Sequence, residues 1–172
     1  MKIRSSLALL SVLSAPALAA DLSVKVALPQ LDVAAYHRPY VAMWIEGADQ
    51  HVVANLAVLY DLKKKENGGA KWLPDVRQWW RKSGRDLQTP IDGVTGATRG
   101  PGEHAFDFST AKAPLDKLPA GEYQLVVEAA REAGGREVVR VPFSWSPKAK
   151  AVPPVTVKGK EEIESVSLQI KP

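Results

Sequence analysis

Residues 92–98 read Asp-Gly-Val-Thr-Gly-Ala-Thr, and Arg99-Gly100-Pro101-Gly102 follows. The stretch holds one acid, Asp92, and two alcohols, Thr95 and Thr98, with the small pair Gly96 and Ala97 between the alcohols. Two kinds of chemistry fit this order. Gly, Asp and Thr are ordinary turn residues, and a loop needs nothing more from them. An alcohol beside Gly and Ala in an open, Gly- and Pro-rich loop is also a nucleophile that another enzyme's active site can reach. On that reading Thr98 is an attachment point, and Arg99 supplies a cation next to any phosphate placed there.

Other chemistries find less support. His37, His51 and His104 are scattered, with no His-x-x-x-His spacing, so each reads first as a surface or loop histidine. A metal-binding module would need those three to converge in space. Ser, His and Asp are all present, but no Gly-x-Ser-x-Gly elbow accompanies them. No Gly-rich phosphate loop joins a strand to a helix. The chain contains no cysteine, which rules out disulfides, thiolate-held iron–sulfur clusters and Cys-x-x-Cys-His haem attachment. Electron carriage by this chain requires some other cofactor.

The first 19 residues read as a secretory signal peptide. Lys2 and Arg4 precede an apolar run from Leu7 to Leu13, and Ala17-Leu18-Ala19 gives a small-x-small cleavage site. The run is too short to span a bilayer, which takes ~20 residues. Cleavage near Ala19 leaves one domain, residues 20–172, of a size that supports its own core. Loss of Lys2 and Arg4 lowers the formal net charge from +4 to +2. Lys63-Lys64-Lys65 then reads as a solvated hairpin tip, and nucleic acid is not an expected partner.

The elements that must position these residues are mostly strands. "DLSVKVAL" alternates with period two, and "YVAMWIEG" and "HVVANLAVLYDL" are apolar runs joined by a turn at 47–50. "WLPDVRQWWRKSG" predicts a helix with Pro74 in its first turn and Gly84 at its end. Its tryptophans predict an aromatic packing face, with one of Trp72, Trp79 and Trp80 left open for stacking. Residues 88–102 read as one long loop, and "HAFDFS" as a short strand. "GEYQLVVEAAREAGGREVVRVPFSW" reads as a hairpin turning at Ala133-Gly134-Gly135. The segment 146–162 reads as a flexible connector to a last strand, "SVSLQI". About seven strands and one short helix predict an all-β sandwich of immunoglobulin/fibronectin type, with Tyr123 as a corner tyrosine.

Two resemblances sharpen the expectation. "DGVTGAT" resembles the recognition motif for covalent flavin attachment, Asp-x-x-(Ser/Thr)-Gly-Ala-(Thr/Ser). The resemblance implies that a magnesium-dependent flavin transferase moves FMN from FAD onto Thr98, with Asp92, Thr95, Gly96 and Ala97 as the recognised residues. Targets related to quinone reductases often continue with further Thr or Ser, whereas this chain continues "RGPGEH". Over nearly the whole mature chain, "AYHRPYVAMWIE", "WLPDVRQWWRK", "GATRGPGEH" and "LPAGEYQLVVEAAREAGGREVVRVPF" resemble the DUF2271 family of predicted periplasmic proteins. That resemblance implies an exported, flavin-based electron carrier rather than an enzyme with its own substrate, working with a PepSY-type membrane protein or another redox partner. Under it, Tyr36, His37, Arg38 and Tyr40 are expected at a strand end near the flavin loop, with His37, Arg38 and Trp80 in contact with the flavin or its phosphate, together with Arg99. The competing expectation is an unmodified immunoglobulin-like binding module in which residues 92–98 form only a turn.

Overall fold

A computed structural model describes residues 21–109, 111–146 and 151–171. The segment read as a signal peptide lies outside them. The described residues form an all-β sandwich with one short α-helix. Nine strands occur among them: β1 (Asp21–Leu28), β2 (Tyr40–Glu46), β3 (Val52–Tyr60), β4 (Thr95–Ala97), β5 (Gly102–Ser109), β6 (Gly121–Ala130), β7 (Arg136–Trp145), β8 (Val155–Lys158) and β9 (Ser165–Lys171). One sheet has the order β5-β1-β9-β8 and the other β4-β3-β2-β6-β7.

The runs without clean alternation have a physical reason. In β2, Val41, Met43 and Ile45 face the other sheet, while Ala42 and Trp44 face outward and are just as buried. The outer face is covered by the segment between β3 and β4, so the larger sheet is buried on both sides. A strand buried on both faces reads as a continuous apolar run. The edge strand β7 carries Pro142, which pairs with Gln124 of β6; a sheet edge tolerates the missing N–H. Tyr123 donates from its hydroxyl to the Pro119 carbonyl at 2.9 Å, the hydrogen bond of a tyrosine corner.

Three expectations are revised. The helix over "WLPDVRQWWRKSG" is split into a 3-10 segment, Ala70–Asp75, and an α-helix, α1 (Arg77–Lys82). The break falls at Val76, which leaves helical geometry at ψ 69° while burying its side chain completely. Glu128 of β6 holds α1 in that position: its carboxylate accepts from the backbone N–H of Gln78 at 3.0 Å and of Trp79 at 2.8 Å. These are orphan donors of the first helical turn, satisfied from the sheet rather than by a local cap.

The other two revisions add strands. Residues 95–97 sit inside the expected loop but pair with β3 as β4. Val155–Lys158, inside the expected connector, pairs with β9 as β8. Each is too short for alternation to announce it, and β8 follows Pro153-Pro154, a loop-like signature.

Candidate functional site

The 92–98 segment is built onto the end of the larger sheet. The β3–β4 pair is parallel, with Val58, Leu59 and Tyr60 opposite Thr95, Gly96 and Ala97. The Val58 N–H donates to the Val94 carbonyl at 2.9 Å, and the Thr98 N–H to the Tyr60 carbonyl at 3.3 Å. Parallel pairing sends both strands out at the same end, so Thr98 emerges beside Asp61. Asp92 stays exposed at the opposite end of β4. Thr95 is structural here, because its Oγ1 accepts from the Ile91 N–H at 2.8 Å and closes the turn that Gly93 makes at φ +68°.

At the end where Thr98 emerges, the chain leaves a cleft of about 710 Å³. Its walls come from five places: Tyr36, His37 and Arg38 before β2, Asp61–Lys64 after β3, Trp72 and Asp75 of the 3-10 segment, Ala97–Thr98, and the 131–136 hairpin. The volume falls in the ~300–1,000 Å³ range of small-molecule and cofactor sites.

Two tyrosines tie the wall to the sheet. Tyr40 donates to the Gly69 carbonyl at 3.0 Å and Tyr60 to Asn67 Oδ1 at 2.9 Å, with ring centroids 6.2 Å apart. Burial raises the pKa of Tyr40, against a hydrogen bond from the Asp61 backbone. Burial likewise raises that of Tyr36, where Arg131 and Arg38 oppose the shift and Glu162 adds to it. Both phenols are neutral donors at ordinary pH.

The floor is held by ion pairs. Arg131 binds the buried Glu162 through two contacts, 2.9 and 3.0 Å, and the Gly135 N–H donates to the same carboxylate at 2.7 Å. The Glu162 hydrogen bond raises the Arg131 pKa further, against the effect of burial. Arg136 pairs with Glu128 at 2.9 Å. With those two arginines neutralised, the cleft retains four cations (Arg38, Lys63, Lys64, Arg77) against the carboxylates Asp61, Asp75 and Glu132. The balance suits a ligand with about one negative charge. Trp72 supplies an aromatic wall, with the Lys71 ammonium 5.1 Å and the Lys64 ammonium 6.0 Å from its ring centroid; such cation–ring contacts are weakly attractive.

The residues singled out by sequence separate as follows. Thr98, Ala97, His37 and Arg38 line the cleft. His37 lies 3.8 Å from Glu132. Arg99 is exposed and outside the lining; Gly96 and Thr95, half-buried, are outside it too. Trp80 packs beside Trp79 against the outer-face cluster and does not reach the cleft. Trp72 is the tryptophan that does, and its signal was its place ahead of the helix, away from the packing stripe of Leu73, Val76 and Trp79. Tyr36 and Tyr40, expected near this loop, line the same cleft; sequence reasoning missed the 131–136 wall, whose residues lie far from the motif in the chain. His51 lines a separate depression, and His104 contacts the Gly100 carbonyl at 2.7 Å. No group of three or more His, Asp or Glu able to hold a metal occurs among the described residues.

No helix among the described residues is long and apolar enough to cross a membrane. No curated protein and no solved structure matches the chain. Residues 21–165 match a family described as predicted periplasmic proteins, DUF2271, and the chain belongs to that family.

Proposed function

We propose that the chain carries FMN through a phosphodiester on the Thr98 hydroxyl and works in electron transfer outside the cytosol. One observation carries the reading: the last residue of the flavin-type motif, Thr98, lines a cleft of cofactor size that has cations and an open indole on its walls.

The residues present fit the group. Arg38 and the lysines suit a singly charged phosphodiester, and Trp72 offers a flat apolar surface to a planar ring. The neutral phenol of Tyr36 can donate a hydrogen bond, whereas that of Tyr40 is already given to the Gly69 carbonyl. Ala97 leaves the acceptor hydroxyl unobstructed. In the attachment step the Thr98 Oγ forms a bond to the FMN-side phosphorus of FAD, the pyrophosphate link breaks, AMP leaves, and the hydroxyl proton passes to the magnesium-dependent transferase. When bound, FMN supplies one- and two-electron chemistry, and the protein's part is to position and tune it. On this reading the chain is a carrier whose redox partner is a PepSY-type membrane protein or another electron-transfer protein.

The reading is tested by co-expression with an active flavin transferase, followed by denaturing electrophoresis. A band at the chain's mass that fluoresces as a flavin supports it. A colourless band, with a known target labelled in the same cells, removes it and leaves an unmodified binding module.

A further inference from the structure

Leu62 and Trp72 are both 45 % exposed, and both line the mouth of the cleft that holds Thr98. Isolated exposed apolar residues need no explanation. This pair differs in its surroundings: Lys63, Lys64, Lys65 and Lys71 are all exposed around it. None of the four forms a salt bridge among the described residues, whereas Arg131, Arg136 and Lys82 all do. Of the nearby acids, Asp61 accepts from the Lys63 backbone N–H at 3.0 Å, and Glu66 and Asp75 leave the rim with a positive balance. An apolar centre inside a charged, solvated rim is the anatomy of a transient protein interface.

We infer that this rim is the docking surface for an acidic redox protein that exchanges electrons with the group on Thr98; the inference rests on the flavin reading above. Charge complementarity selects an acidic partner and speeds its encounter more than it tightens the complex, which suits a carrier that must bind and release repeatedly. An anionic membrane would meet the same charges. However, Leu62 and Trp72 border the concave mouth of a cleft, and a partner that covers this mouth over the bound group needs a shaped protein surface, which a flat bilayer is not.

The probe is reduced plant-type ferredoxin, an acidic one-electron protein carrier, mixed in a stopped-flow instrument with the flavin-loaded protein. Each ferredoxin cluster is oxidised by one electron, so full reduction of the group consumes two ferredoxins, with protons from water. The rate of flavin bleaching should fall about tenfold or more between low and high salt. The triple variant Lys63→Glu, Lys64→Glu, Lys71→Glu should be slower by at least about tenfold at low salt and lose that salt dependence, while Lys117→Glu, outside the cleft, changes neither. Intact mass is read on every sample first. Loaded variants with unchanged rate and salt slope overturn the docking surface alone. Binding of the wild type, but not the triple variant, to anionic vesicles assigns the rim to lipid and also overturns it. A wild-type mass without FMN overturns both this inference and the reading beneath it.

Discussion

The backbone N–H of Thr98 donates to the carbonyl of Tyr60 at 3.3 Å, one residue beyond the last paired position of β4. This bond anchors Thr98 to the end of β3, and Gly96 makes the close approach possible. A Cβ at Gly96 would lie 2.8 Å from Leu59 Cδ2, and Leu59 is itself packed in the core. Gly96→Val should therefore lift β4 from β3. The expected result is faster hydrogen exchange at the Thr98 amide, by tenfold or more, with a global loss of about 1–3 kcal/mol from overpacking. An unchanged Thr98 amide would mean that the motif is not held by this pairing.

The outer-face cluster is the second support of the cleft, because it fixes the segment that carries Trp72. Trp79 is fully buried and its Nε1 donates to Asn55 at 2.8 Å. Gly84 is packed so closely that a Cβ there would lie 2.5 Å from the Trp79 ring. Trp79→Ala should cost about 3–5 kcal/mol in urea unfolding, as expected for deleting a large buried aromatic. Glu128→Ala leaves two helix N–H groups and Arg136 without their acceptor, and should cost about 2–4 kcal/mol.

The loop before β9 is pinned by one carboxylate. Glu137 accepts from the backbone N–H groups of Lys160, Glu161, Glu162 and Ile163 at 2.6–3.0 Å. Burial raises its pKa, but the four hydrogen bonds outweigh burial and the net shift is downward. A carboxyl whose pKa is lower folded than unfolded adds stability above its unfolded pKa, and that contribution is lost as pH falls through the folded value. Stability should drop in the acid range below the ordinary glutamate pKa. The pH dependence of the unfolding midpoint checks this, and Glu137→Gln should flatten the acid limb. An identical acid limb in the variant would assign the loss to other carboxylates.

Sequence patterning revealed the sandwich because its inner core follows period two in β1 and β9, and the tyrosine corner because Tyr123 and Pro119 are neighbours in the chain. What escaped the pattern depends on pairing between distant segments. β4 was hidden because a three-residue Gly-containing stretch is a strand only by virtue of the β3 edge beside it. The broken helix escaped for a similar reason, since its cap is Glu128, about fifty residues away in sequence. At the site, the motif pointed to Thr98 through local spacing alone. Its surroundings were legible only in the 36–40 stretch: the cleft is also closed by Trp72 and the 131–136 hairpin, and only the folded sheet end brings these together. The buried glutamates Glu46, Glu128 and Glu162 show the same limit, because each has a partner distant in sequence: Lys82, the Trp79 N–H and Arg131.

The central claim is a covalent group on one hydroxyl, so intact mass tests it most directly. The exported protein is co-expressed with an active flavin transferase beside a Thr98→Ala variant, with Thr95→Ala as a check on the neighbouring alcohol. The account predicts that wild type gains the mass of FMN less one water and that Thr98→Ala gains nothing. An unmodified wild-type chain, while a known target in the same cells is loaded, would contradict it.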